Sequence, residues 1–212
     1  EKNRDILDSI TYAKRIQEAL LPPADKWQAL LPESFVLYLP RDIVAGDFYW
    51  MAETEKYIFV GAADATGHGV PGAFVSMICV TTLQKAVHEE GLESPADILM
   101  RSKELLTAQL TQYDKRIRDG MDIALLRISK RDPHEIAFSG ANRPLWLYTS
   151  HEILELPPTR QPIGFSETIK PFEEHALTLA PGAIIYLFTD GLVDQMGGPK
   201  GRKLMQKGLR EY

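Results

Sequence analysis

Residues 57–74 read YIFVGAADATGHGVPGAF. An apolar run rich in aromatic and β-branched residues ends on Asp64, and glycines follow at once. The pattern predicts a strand over 57–64, a tight turn, and then a helix in whose first turn Pro71 is tolerated. A carboxylate on a strand end beside a glycine-rich turn is either a turn former or a ligand. The residues on either side decide which.

Upstream, FVLYLP (35–40) and GDFYWM (46–51) have the composition of strands. Downstream, VPGAFVSMICVTTLQKAVHEE reads as a first helix, and Ser94–Pro95 supply the N-cap and first position of a second, ESPADILMRSKELLTAQL. Strand patterns resume at 121–129, 135–140, 144–149, 152–156, 173–179 and 183–190, with hairpin signals at RDPHE, GANRP and APG. Strands next to strands, with two helices inserted as a block, predict an α+β fold rather than an alternating parallel sheet.

The N-terminal stretch 1–23 reads as a linker helix stopped by Pro22 and Pro23, with Ile6, Ile10, Ala13, Ile16 or Gln17, and Leu20 on one stripe. Two readings stay open: a helix packed on its own domain, or a seam for a second copy that continues an upstream coiled coil. The start without an N-cap reads as a cut from something longer. Residues 24–212 form the remaining domain.

Composition bounds the chemistry. Of 212 residues, 44% are hydrophobic and 25% charged, the balance of an ordinary globular domain. The net charge is −5, with no basic stripe, which argues against a nucleic-acid partner. No secretory signal appears, and no apolar run approaches the ~20 residues of a membrane span. Cys79, the single cysteine, cannot form an internal disulfide and lies in the apolar VSMICV, so it reads as an inert buried thiol in a reducing, cytoplasmic setting.

Three aspartates share one context: Asp47 in VAGDFYW, Asp64 in AADATGHG and Asp190 in LFTDGLVD. Singly, each Asp-Gly neighbourhood is a turn signal. Together, ending strands, they make a candidate site for a hard divalent cation, Mn²⁺ or Mg²⁺. One cysteine and five scattered histidines offer no zinc cluster. His68 reads as a loop residue bonded to backbone, with tuning of the site or proton donation to a leaving group as the alternative, Arg41 as a surface or carboxylate-pairing residue, and Asp122 and Asp194 as structural. Trp27, Trp50 and Trp146 read as core or rim aromatics, and YDKRIRD (113–119) as a solvated loop, the end of the second helix, or a flap.

IVAGDFYW, ADATGHGVPGAF, SGANRPLWLY, QPIGF and LAPGAIIYLFTDGLVDQ occur in order. Together they resemble the SpoIIE-type branch of the metal-dependent serine/threonine protein phosphatases, the PPM or type 2C-like family, from about residue 35 to 210. The resemblance implies a β-sandwich of two antiparallel sheets flanked by helices, with two metal ions at one end. It implies Asp64 as the bridging ligand, Asp47 and Asp190 as the carboxylates completing each ion, and Ala65 as a main-chain carbonyl ligand. Such a site lowers the pKa of a shared water, which attacks phosphorus without a protein nucleophile. The implied substrate is phosphoserine or phosphothreonine on a STAS-type anti-sigma-factor antagonist. Further implied partners are a second copy through the N-terminal helix and an upstream sensor domain, with a membrane tether for the full-length protein an open possibility. Members usually end in a further helix and strand carrying a fourth metal carboxylate, which this sequence does not reach. That departure leaves a second reading open, a weakened regulatory module signalling through its N-terminal helix. A third is a hydrolase of small phosphate esters.

Overall fold

The computed structural model describes residues 2–112, 116–150, 152–197 and 201–210. Strands β1 (Phe48–Glu53), β2 (Tyr57–Ala65), β3 (Gly120–Ser129) and β4 (Glu135–Ala141) pair antiparallel in chain order. β5 (Leu145–Thr149) and β6 (Glu152–Leu156) lie in a second sheet, and the two-residue β7 (Ile163–Gly164) returns to pair with β3. β8 (His175–Thr178) extends the first sheet beyond β4, and β9 (Ile184–Tyr186) completes the second in the order β6-β5-β9. A two-stranded ribbon, β10 (Met196–Gly197) and β11 (Arg202–Lys203), follows. The fold is α+β, as expected from the order of the patterns.

Alternation decides the layers. On β2, Phe59, Ala63 and Ala65 point to one side with Phe48 and Trp50 of β1 and Ile123 and Leu125 of β3. This side is covered by α3 (Gly69–Gln84), which continues as a π-helical turn over Lys85–Glu89, and by α4 (Pro95–Thr111). Val60, Leu126, Ile136 and Phe138 face the other way and meet Leu145 and Leu147 of β5. Two inner faces of period two thus make an inter-sheet core, and the helices make a second core behind the larger sheet.

The helices follow their sequence signals. Ser94 accepts the Asp97 N–H at 3.3 Å and Pro95 occupies the first position of α4. With its π-helical end, α3 reaches 21 residues, Gly69–Glu89, long and apolar enough to cross a membrane, contrary to the expectation from runs of residues. Its apolarity is that of a core helix, with Cys79, Leu83 and Ala86 fully buried. Burial pushes the Cys79 thiol up to about 12, which leaves it inert.

α1 (Lys2–Glu18) docks through its C-terminal end. Gln17 is buried, its amide donating to Ala45 O at 2.6 Å and Ser76 Oγ at 2.9 Å, while its carbonyl accepts the Ala45 N–H at 3.0 Å. A short α2 (Ala24–Leu30), which the sequence did not announce, brings Trp27 against the inter-sheet core.

Residues 35–40 are a correction. They form no strand, and Phe35, Leu37 and Leu39 are exposed. β-propensity becomes a strand only when a ladder partner is available, and here Tyr38 instead stacks edge-on to Tyr49 and donates to Asp47 O at 3.2 Å. GANRP is a second correction. It is no hairpin but the crossing from β4 in the larger sheet to β5 in the smaller one, and APG likewise crosses from β8 to β9.

Candidate active site

The site lies at one end of the sandwich, on the inter-sheet side. Asp64 sits one residue before the end of β2 and is paired in register with Asp122 of β3. Since Phe48 faces Ala63, continuing the β1–β2 register one step sets Asp47 opposite Asp64. Asp190 arrives from the other sheet. It is not the end of a strand, as expected, but the first residue of the one-turn α5 (Asp190–Val193), four positions after β9.

Close backbone approach makes this end possible. A Cβ on Gly46 would lie 2.6 Å from Gly67 O and 2.8 Å from Ala65 O, so only glycine lets the segment before Asp47 reach the turn after Asp64. Gly67 adopts φ of 90°, a conformation glycine takes at no steric cost. Ala65 lines a pocket of about 260 Å³ with Asp64, Thr66, Gly67, Asp122 and Pro162. Lys103 of α4, buried at 3% exposure, fixes one rim of it by donating to Pro162 O at 2.9 Å and Gly164 O at 2.5 Å.

A guanidinium stands among the carboxylates. Arg143 Nη2 lies 2.5 Å from Asp64 Oδ2, 2.8 Å from Asp190 Oδ2 and 3.7 Å from Asp122 Oδ2. Burial opposes the Arg143 charge, but the hydrogen bond to Asp190 and the charges of Asp190, Asp64 and Asp122 outweigh it and raise its pKa. Asp64 is pushed up to about 7, first by burial, then by the charges of Asp47 and Asp190; the guanidinium pulls the other way without prevailing. Four carboxyl groups, Asp47, Asp64, Asp122 and Asp190, stand here against one guanidinium. Asp47 Oδ2 accepts a hydrogen bond from Thr189 Oγ1 at 2.6 Å.

The donor set is all oxygen and anionic, which suits Mg²⁺ or Mn²⁺. Among the described residues no three Asp, Glu, His or Cys side chains are arranged as the ligands of a single ion. Arg143 Nη2 takes a position from which Asp64 and Asp190 are both within hydrogen-bond reach.

Asp122, read from sequence as structural, belongs to this site and accepts Asn142 Nδ2 at 2.8 Å. Asp194 does not; it pairs with Lys203 at 2.7 Å. His68 is exposed and 3.3 Å from Asp42, and Arg41 is exposed too. Residues 113–115 of the suspected flap lie outside the described residues, while Arg118 stacks 4.0 Å over the Phe165 ring. Trp50 is core, Trp146 donates to Glu155 at 2.9 Å under Arg210, and Trp27 donates to Ser34 at 2.8 Å. Arg143 was missed. Its only signal was a basic residue inside a turn motif, GANRP, already assigned to chain reversal.

The model of the family described as Stage II sporulation protein E (SpoIIE) matches residues 54–211. The chain belongs to the SpoIIE family. It is 22% identical over 220 residues to phosphoserine phosphatase RsbU of Bacillus subtilis, covering 99% of this chain and 61% of that one, so it spans about three fifths of that relative's length. Among solved structures, the SiaA-PP2C domain of Pseudomonas aeruginosa superposes with a TM-score of 0.87 at 32% identity, over 100% of this chain and 82% of that one. The PP2C phosphatase domain of SpoIIE from Bacillus subtilis, with a fragment of its regulatory domain, gives a TM-score of 0.58 at 19% identity, over 79% and 46%, a likeness of fold. The SpoIIE-type sandwich expected from the motifs is the fold observed.

Proposed function

We propose that this SpoIIE-family chain is a metal-dependent protein serine/threonine phosphatase whose site is built on Asp47, Asp64, the Ala65 carbonyl and Asp190. The observation that carries the reading is the convergence of Asp64, from β2, and Asp190, from the start of α5, on one position taken by Arg143 Nη2. Two Mn²⁺ or Mg²⁺ ions at this end would supply an activated water and neutralise phosphoryl charge. The chain's own residues hold and aim the carboxylates: Thr189 orients Asp47, Asn142 orients Asp122, and Lys103 keeps Pro162 at the rim. The N-terminus of α3, with Gly67 just before it and Gly69 as its first residue, offers N–H groups toward an anion. An open pocket bordered by loops suits a phosphorylated segment of a protein.

The substrate we propose is a phosphoserine or phosphothreonine on a small STAS-type anti-sigma-factor antagonist, in a partner-switching circuit. The name of the RsbU relative supports the phosphoserine specificity. We further propose a homodimer through α1, supported by the exposure of Ile6, Leu7, Tyr12 and Ile16 on that helix. Gln17 ties α1 to Ala45, two residues before Asp47, so pairing of α1 would bear on the site and on its occupancy by metal.

Phosphate release tests the substrate class. The chain is given Mn²⁺ and, in turn, p-nitrophenyl phosphate, a phosphoserine peptide and a phosphorylated STAS-domain protein. The reading expects release that chelator abolishes and that is fastest with the phosphoprotein. Release from the small ester alone would show a small-molecule hydrolase. No release from any of the three would show a regulatory module.

A further inference from the structure

The backbone on either side of Arg143 is constrained, and its guanidinium is held by carboxylates. Its neighbour Asn142 donates its N–H to Thr159 O at 3.0 Å and has φ of 57°, Thr159 N–H donates to Gly140 O at 2.9 Å, and Pro144 follows. The crossing between sheets therefore delivers the guanidinium to one place. Yet the bonding there is lopsided: Nη2 alone serves Asp64 and Asp190 and approaches Asp122, while Nε is buried without a partner among the described residues. A bridge built only for stability would use the planar fork, in which several N–H groups bind in parallel.

We propose that Arg143 is the resident counter-cation of this acidic end, holding Asp64 and Asp190 together in the metal-free protein, and that a divalent ion binds by displacing it. This rests on the metal-site reading above. A guanidinium cannot shed its proton at any ordinary pH, so it can yield the position only by moving. One positive charge among Asp47, Asp64, Asp122 and Asp190 leaves the end anionic, and exchange for a doubly charged ion improves the balance. Arg143 thereby sets a threshold of metal concentration below which the site stays closed, and it keeps the carboxylates from repelling one another while they wait.

The test is Mn²⁺ calorimetry on the chelator-stripped full chain and its Arg143→Gln variant, with melting curves in chelator. The expected result is Mn²⁺ binding at least about tenfold tighter in the variant, equivalent to about 1.4 kcal/mol, together with a lower melting temperature in chelator. Unchanged or weaker binding in the variant overturns the inference while leaving the metal site standing, provided that the wild-type chain binds Mn²⁺. Binding by neither chain overturns both; binding by the variant alone upholds displacement in its strongest form. Should Arg143→Gln not fold without metal, the Arg143 Nε–H resonance of the wild-type chain, assigned with Arg143→Lys, serves instead during a Mg²⁺ titration. It is expected to shift and to saturate together with binding, and a resonance that stays fixed as Mg²⁺ binds overturns the inference.

Discussion

Thr189 Oγ1 donates to Asp47 Oδ2 at 2.6 Å, joining residues 142 positions apart in the chain. The bond links the segment after β9 to the segment before β1, and it leaves Asp47 Oδ1 for the cation proposed above. Thr189→Val keeps the shape and removes the donor. Loss of such an orienting bond typically costs 10–100-fold in metal affinity, so Mn²⁺ calorimetry should show a drop of roughly tenfold with the melting temperature in chelator little changed. Wild-type affinity in this variant would show that Asp47 is no ligand or needs no orientation.

Lys103 carries a second prediction. Its ammonium is enclosed between α4 and the 162–164 segment and donates to two carbonyls there. Lys103→Met keeps the stem and strands both acceptors. Hydrogen bonds to charged groups contribute about 1.5–3 kcal/mol, so urea unfolding should show a loss of about 2 kcal/mol. An unchanged midpoint would mean that water satisfies Pro162 and Gly164 equally well.

The strand alternation of β2 and β3 was legible because Phe59, Val60, Ile123 and Leu126 each choose a face that their neighbours share. Asp64 was legible as the polar residue ending such a run. Asp122 occupies the equivalent place on β3, but a lone acid inside MDIALL carries no sign of the register that sets it beside Asp64. Arg143 was hidden for the same reason: its meaning comes from a crossing between sheets, which local pattern cannot distinguish from a hairpin. Residues 35–40 erred the other way, since FVLYLP has the composition of a strand and lacks a partner.

Acidity offers a third prediction. In the metal-free protein Asp64 titrates at about 7, against 3.8 for an ordinary aspartate, chiefly through burial and the charges of Asp47 and Asp190. A folded value above the unfolded one means that the contribution to stability is complete below about pH 4 and is lost as pH rises through 7. In chelator the wild-type chain should therefore melt lower at pH 8 than at pH 5.5, and Asp64→Asn should remove much of that fall. An equal slope in the variant would assign the titration elsewhere.

The proposed dimer rests on α1, whose Ile16 is 44% exposed while Ile10 is half-buried. Changing Ile10 and Ile16 to Glu should give monomers by light scattering, since each apolar side chain withdrawn from a seam removes about 1.5–3 kcal/mol. An unchanged mass with a lower melting temperature would show instead that the stripe packs on its own domain.

The central claim is that Asp64 is a metal ligand for phosphoester hydrolysis, and Asp64→Asn at saturating Mn²⁺ tests it most directly. Asparagine keeps the shape and removes the charge shared with Asp190. The account predicts that phosphate release from a phosphoserine peptide falls to the level seen in chelator, while the variant melts at or slightly above the wild-type temperature in chelator, because one of the crowded carboxylates is gone. Turnover at the wild-type rate in a folded Asp64→Asn chain would contradict it.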